Sequence, residues 1–232
     1  MLEVRRSLDR GYADHGWLKS YHTFSFADYY DPVFEDFGAL RVINEDRIKP
    51  GKGYDNQPHR DVEILTYVLA GELEHKDSLG NAVVIRPGDV QRLSAGAGVT
   101  QSELNRSPSH EVHLLQIWIK PSAEGLEPGY EQKRFAASEK RGRLRLVASL
   151  TGEDDSLRIQ QDTRIYTGFF NAAERAEFEV AKGRRAYAHV ASGSIAVNET
   201  RLNAGDGVKI TRSGRFALQN GRDAEVLMFD LP

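Results

Sequence analysis

Short runs that alternate apolar and polar residues, separated by turn residues, fill the chain from residue 64 to 118. They include ILTYVLAG, AVVIRPGD, VTQSELN and VHLLQIWI. Runs of about four to eight residues bounded by Gly, Pro, Asn and Asp are typical of antiparallel strands. The pattern therefore predicts a β unit built from hairpins.

A second, shorter set of the same kind begins near residue 186. Gly71 corresponds to Gly193, Gly88-Asp89 corresponds to Gly205-Asp206, and each set closes on an apolar strand, LLQIW or VLMFD. Two copies of one hairpin-rich unit predict an all-β chain of two β-barrels or jelly-roll sandwiches, each closing its sheet edges on itself.

The stretch between the two copies has a different composition. Residues 121–145 are rich in Gly, Pro and charge, with one short helix expected around residues 131–139. We therefore expect an N-terminal barrel over 1–120, a connection over 121–145 and a structural C-terminal barrel over 146–232.

The amino-acid composition limits which kinds of functional site the chain can have. The 232 residues are 40% apolar, carry a net charge of −3 and contain no cysteine. Disulfides, iron–sulfur clusters, thiolate metal sites and cysteine nucleophiles are therefore excluded. No signal peptide and no run of about eighteen apolar residues is visible, so we expect a cytoplasmic protein with no membrane contact. The weak negative charge gives no direct attraction to nucleic acid.

Two pairs of residues with two-residue spacing mark a pocket. Gln57 and His59 form one pair, and Gln101 and Glu103 form the other. Alternate side chains on a strand share a face, so each pair can point into one cavity, and Pro58 suits an edge strand. If the strands are neighbours, four polar groups converge.

Several blocks resemble the pirin family. GYDNQPHRDVEILTYVLAGELEHKDSLG and PGDVQRLSAGAGVTQSELN look like two cupin motifs as pirins carry them, and the blocks over 15–32 and 41–48 are also similar. The resemblance runs over nearly the whole chain. It implies a bicupin in which only the N-terminal barrel binds metal. Bacterial relatives resemble quercetin 2,3-dioxygenases, whose metal would bind the flavonol; the eukaryotic member is a nuclear, iron-linked transcription cofactor.

The resemblance also implies a ligand set, three histidines and one glutamate, of which this chain keeps half. Gln57 and Gln101 stand where the family has histidine, whereas His59 and Glu103 are retained. Amides are weak ligands for borderline metals. The expected cofactor is at most one divalent metal (Fe, Ni, Mn, Cu or Zn), bound weakly or not at all.

Three interpretations of the pocket stay open. In the first, it is a degenerate metal site of a quercetin 2,3-dioxygenase-like oxidoreductase. In the second, it is a metal-free catalytic pair, in which Glu103 raises the pKa of His59. In the third, it is a hydrogen-bonded cluster in a regulatory module that binds a small molecule or a protein partner without catalysis. A small aromatic or enolic ligand is expected in either catalytic case.

The sequence gives less reason to place the other polar and aromatic residues in the site. For Glu63, the sequence supports a structural role and a role in the site equally. His75 is expected to pack beside the turn at 78–80, and His113 to contact the site from the neighbouring strand. The aromatic block at 15–30 is expected to cover the barrel and, if it reaches a cavity, to suit a planar ligand. His189 is expected to be an ordinary strand residue.

Overall fold

The alternating runs of the sequence fold as strands throughout the computed structural model, which describes residues 2–232. Within this range there are twenty strands, one short α-helix, and two 3-10 turns at Ser7–Asp9 and Glu153–Asp155. The strands and the helix are β1 Leu2–Arg5, β2 Gly11–Asp14, β3 Leu18–His22, β4 Leu40–Ile48, β5 Gly53–His59, β6 Glu63–Ala70, β7 Leu73–Asp77, β8 Ala82–Ile85, β9 Asp89–Ser94, β10 Val99–Leu104, β11 Val112–Ile119, β12 Gly129–Arg134, α1 Ala137–Lys140, β13 Arg145–Ser149, β14 Leu157–Arg158, β15 Arg164–Phe170, β16 Ala176–Val180, β17 Arg185–Val197, β18 Thr200–Asn203, β19 Gly207–Ile210 and β20 Gly214–Leu231.

The chain divides into two compact units. The N-terminal unit comprises Gly11–Arg134 and Leu157–Gln161. The C-terminal unit comprises the residues up to Arg10, Phe135–Ser156 and Asp162–Pro232. The all-β, two-cupin architecture predicted from the sequence is confirmed.

Two antiparallel sheets build the N-terminal unit. The larger has the order β12-β9-β6-β11-β4-β3-β2, and the smaller has the order β5-β10-β7-β8. Leu73 and Ile85 of the smaller sheet pack with Val68 and Leu114 of the larger one in a fully buried cluster. Burial of these side chains is the main force that holds the sheets together.

The C-terminal unit is organised around its two longest strands, β17 and β20. Its main sheet has the order β1-β19-β17-β20-β15-β13, with β16 beside β20 and β18 beside β17. Gly193 lies where the pairing of β17 with β20 is irregular: its φ is +66°, and an added Cβ would lie 2.2 Å from two carbonyl oxygens. Any other residue would be strained there.

The repeat predicted from sequence is visible in turn geometry. In the first copy, Asp89 accepts a hydrogen bond on Oδ2 from the backbone N of Arg86 at 2.9 Å. In the second, Asp206 accepts one on Oδ2 from the backbone N of Asn203 at 3.0 Å. Both aspartates are buried and follow a glycine of positive φ. The same turn therefore starts equivalent strands in both units.

The prediction of a helix over residues 131–139 is largely wrong. Residues up to Arg134 belong to β12, which pairs with β9 over Gly129–Arg134, and only Ala137–Lys140 is helical. One helical turn is marginal on its own, whereas the edge of β9 offers a complete ladder of backbone partners. Nowhere in residues 2–232 is a helix long and apolar enough to cross a membrane.

Candidate functional site

The two pairs of site residues lie on neighbouring strands. Gln57 of β5 is directly opposite Gln101 of β10, and His59 is opposite Val99. Side chains of directly opposed residues share a face. The two strands are neighbours, as convergence of the two pairs requires, with Gln101 buried and Gln57 and His59 half-buried.

A β-bulge changes the register within the site. Two residues of β5 lie opposite one residue of β10 between Gln101 and Glu103, so Glu103 pairs with Tyr54. The extra residue lets Tyr54 and Gln57, three positions apart, point to the same side. The sequence spacing gives no sign of this bulge, and Tyr54 was not among the expected site residues.

His59 contacts Gln101. The two Nε2 atoms are 3.2 Å apart, which fits donation from the amide N–H of Gln101 to the lone pair of a neutral imidazole. The other amide atom, Gln101 Oε1, is buried and has no hydrogen-bond partner among residues 2–232. Burial lowers the pKa of His59. The imidazole is therefore neutral at physiological pH, and a ligand that brings a donor would find Oε1 unused.

Glu103 is held by the larger sheet. Thr66 Oγ1 donates to Oε1 at 3.5 Å, and Gln116 Nε2 donates to Oε2 at 3.2 Å. Burial, together with the nearby Asp46 and against the Thr66 hydrogen bond, raises the pKa of Glu103 to about 7. The carboxyl group can therefore hold a proton near neutral pH, unlike an exposed glutamate.

An aromatic wall lies next to these groups. The Trp118 ring is edge-on to His59, with centroids 5.4 Å apart, and edge-on to Phe26 at the same distance. Trp118 Nε1 donates to Gln116 Oε1 at 3.1 Å, which fixes the amide that binds Glu103. The wall and the carboxyl group are thus linked through one glutamine.

Polar residues continue across the larger sheet. Thr66 is directly opposite Gln116 on one side and Gln91 on the other, and all three are buried. Neither amide atom of Gln91 has a hydrogen-bond partner among residues 2–232. We call the set Thr66, Gln91, Gln101, Glu103 and Gln116 the polar layer.

The expected catalytic pair differs from the observed arrangement. His59 bonds to Gln101, while Glu103 bonds to Thr66 and Gln116. The expected rise in the His59 pKa is wrong: desolvation dominates and lowers it. A buried amide, not a carboxylate, is the close partner of the imidazole, so no charge offsets the cost of protonation.

The remaining candidates have structural partners. Glu63 accepts hydrogen bonds from Ser94 Oγ at 2.8 Å and from the backbone N of Gln160 at 3.3 Å. His75 contacts Asp77 at 2.9 Å, as expected for a residue beside the 78–80 turn. His113 contacts Glu45 Oε1 at 2.9 Å. His189 is a buried residue of β17.

These residues do not fit a tightly bound transition metal. No group of three or more His, Cys, Asp or Glu side chains that could hold a metal ion occurs in the described part of the chain. The Nε2 lone pair of His59 already faces an amide N–H, and both Glu103 oxygens accept hydrogen bonds. A borderline metal would gain one imidazole and one carboxylate, with only amide oxygens to complete its coordination.

Sequence reasoning missed the residues that hold Glu103. Thr66 and Gln116 lie in the largely apolar runs ILTYVL and LLQIWI. A single polar residue within a buried strand is the signal that could have identified them, because such a residue needs a partner inside the barrel.

The comparisons with known proteins agree with this architecture. The Pirin family model matches residues 2–119, and a model described as the quercetinase C-terminal cupin domain matches residues 146–231. The chain is 44% identical over 232 residues to the quercetin 2,3-dioxygenase of Escherichia coli K12, covering 100% of this chain and 99% of the relative. It is 40% identical over 228 residues to a pirin-like protein of Caulobacter vibrioides, covering 97% and 98%.

A solved structure is equally similar. The bacterial pirin YhhW of E. coli in complex with nickel(II) superimposes with a TM-score of 0.95 at 44% identity, covering 100% of this chain and 99% of that one. The family model, the relatives matched over their full length and the similar solved structure all indicate the same family. The chain belongs to the pirin family.

Proposed function

We propose that the N-terminal barrel binds a small planar phenolic or enolic molecule, in a site derived from a metal site but without a tight transition-metal centre. The observation that carries the proposal is the 3.2 Å contact between His59 Nε2 and Gln101 Nε2. An amide that occupies the imidazole lone pair converts a metal ligand into a hydrogen-bonding group.

The chemistry of the site supports such a ligand. Neutral His59 can accept a hydrogen bond from a phenolic or enolic hydroxyl group. Glu103, whose pKa is raised to about 7 by burial, can donate from its protonated form to a carbonyl oxygen. Trp118 and Phe26 supply the aromatic surface that a planar ring requires. An enolic ligand, with adjacent hydroxyl and carbonyl groups, meets both requirements.

Metal-free binding tests the proposal directly. Quercetin, used as the probe, should bind chelator-treated protein in a calorimetric titration, and His59→Ala should weaken binding about tenfold. His110→Ala is the matched control, because His110 is an exposed histidine outside the site. If quercetin binds only after a divalent metal is added, the proposal is wrong.

A second candidate function is metal-dependent quercetin 2,3-dioxygenation. It is favoured by the 44% identity to a full-length relative of that name and by the nickel(II) complex of YhhW. Under this alternative the two amides would serve as ligands through their carbonyl oxygens, and Gln101 Oε1 is the atom without a partner.

Restoring histidines separates the two candidates. Gln57→His with Gln101→His should raise nickel affinity at least a hundredfold, because each replaced ligand contributes about ten- to a hundredfold. The unmodified protein should consume no quercetin under air with any supplied metal. Stoichiometric metal and quercetin turnover in the unmodified protein would establish the second candidate instead.

A further inference from the structure

A separate cavity of about 340 Å³ opens at the aromatic block of the N-terminal unit. Strands β2, β3 and β5 and the turn at residues 26–29 contribute to it. None of Gln57, His59, Gln101 and Glu103 lines it. Its volume is that of a small-molecule site. Its aromatic lining residues are Tyr12, His15, His22, Phe26, Tyr29 and Tyr54.

Each of the three tyrosines in this aromatic cavity donates its hydroxyl hydrogen to an aspartate. A hydroxyl group that donates to a carboxylate presents only lone pairs elsewhere. The three oxygens are therefore acceptors for any bound molecule, and a negative charge stands behind each ring. The pairs are Tyr12 Oη to Asp14 Oδ2 at 3.2 Å, Tyr29 Oη to Asp31 Oδ2 at 3.3 Å and Tyr54 Oη to Asp46 Oδ2 at 3.2 Å.

Asp46 is the innermost of these carboxylates. It is 1% exposed and accepts a second hydrogen bond from Ser20 Oγ, which also lines the cavity. Burial raises the pKa of Asp46 to about 6, so it is mainly ionised at neutral pH. Its negative charge is screened little by solvent because the group is buried.

The rings are held rigidly. Phe26 and Tyr29 exchange two backbone hydrogen bonds of 3.0 Å, closing a tight turn that carries both rings. Ala27 within it has a φ of +49°, a conformation that costs energy for a residue with a Cβ. An added Cβ at Gly11 would lie 2.4 Å from the Tyr29 ring, so Gly11 provides the space in which that ring sits.

We propose that the aromatic cavity binds a small organic cation that carries a substituted ammonium group. Cations are attracted to the faces of aromatic rings, and the attraction grows when the site excludes water. The acceptor oxygens and the carboxylates favour a positive ligand and disfavour an anion. Lys19 and Lys49 offset part of the charge of Asp14, whereas burial is the dominant influence on the pKa of Asp46. A neutral aromatic molecule would contact the rings without gaining from this buried charge.

A pair of probes of equal shape tests the charge. Choline and its uncharged isostere 3,3-dimethylbutan-1-ol should be titrated against the full chain by calorimetry and by ligand-observed NMR. The cation should bind at least tenfold more tightly than the neutral alcohol. Equal binding of the two probes, or no choline binding at millimolar concentration, overturns the proposal.

Matched variants locate the binding. Tyr29→Leu should weaken choline binding about tenfold. Tyr30→Leu is the control, because this neighbouring tyrosine is 67% exposed and does not line the cavity. Tyr12→Leu provides a second test with little risk to folding, since Tyr12 is 52% exposed, and it should also weaken binding. Unchanged affinity in both cavity variants contradicts the assignment.

Discussion

The interiors of the two units differ although their turns repeat. In the C-terminal unit, sixteen buried apolar residues pack as one cluster, although polar residues such as Thr167 and His189 are buried there too. In the N-terminal unit, the polar layer is buried between the sheets. Burying polar groups costs free energy unless each finds a partner. The polar layer therefore marks where the fold accepts a cost in stability, and the candidate chemistry lies there.

The shared turns show that this contrast concerns side chains and not the scaffold. Asp89 and Asp206 bond to the same position of their turns in the two units. Equivalent strands then carry Gln91 in one unit and Val208 in the other. The proposed chemistry of this chain therefore rests on the residues placed inside the N-terminal unit and not on the shared fold.

The largest expected effect lies in the apolar interior. Phe216 is 1% exposed within the C-terminal cluster. Phe216→Ala should lower the free energy of unfolding by about 3–5 kcal/mol, because it removes buried surface and leaves a cavity. Urea denaturation monitored by circular dichroism measures this change. A loss below about 1 kcal/mol would mean that the cluster is not tightly packed.

Glu103 should make the stability of the polar interior depend on pH. Its folded pKa is about 7, above the ordinary value of 4.5, so the folded protein keeps a proton that the unfolded chain releases. Stability should therefore fall as pH rises from about 4.5 to 7, by up to ~3 kcal/mol. Glu103→Gln should remove this part of the decline.

Denaturation curves at several pH values, compared between the two proteins, test this prediction. Asp46, whose pKa is raised to about 6 by burial, adds its own decline in both proteins, so the difference between the two profiles reports Glu103 together with its electrostatic interaction with Asp46. Parallel pH profiles for the original protein and Glu103→Gln would show that Glu103 keeps its ordinary pKa.

Two glutamines of the polar layer should respond in opposite directions. Gln116→Met removes a donor to Glu103 and should cost about 1–3 kcal/mol. Gln91→Met replaces an amide that has no partner among residues 2–232 and should stabilise by about 1 kcal/mol. Thermal unfolding of both variants gives the comparison. Equal destabilisation by both would show that Gln91 has partners as important as those of Gln116.

Much of the fold could be predicted from local patterns. Alternation and Gly-Asp turns identify hairpins because they depend on a few adjacent residues. The helix expected over 131–139 was wrong because pairing of β12 with β9 is a long-range interaction that composition does not reveal.

The site was predictable in outline only. Two-residue spacing predicted that the two pairs would meet if their strands were neighbours, and in the structure Gln57 is opposite Gln101. It could not reveal the bulge that brings Tyr54 opposite Glu103, nor that Gln116 would reach Glu103 from the other sheet. The His59 pKa was expected to rise because the imidazole was assumed to meet a carboxylate; which partner it meets depends on three-dimensional packing.

Elemental analysis shows whether the N-terminal site holds a transition metal tightly. Untagged protein should be purified after expression with iron, nickel, manganese, copper and zinc supplied separately, beside a variant with alanine at His59 and Glu103. We expect metal far below one per chain in every sample, because two of the four ligand positions carry glutamine. Near-stoichiometric metal that disappears in the double variant would contradict this expectation.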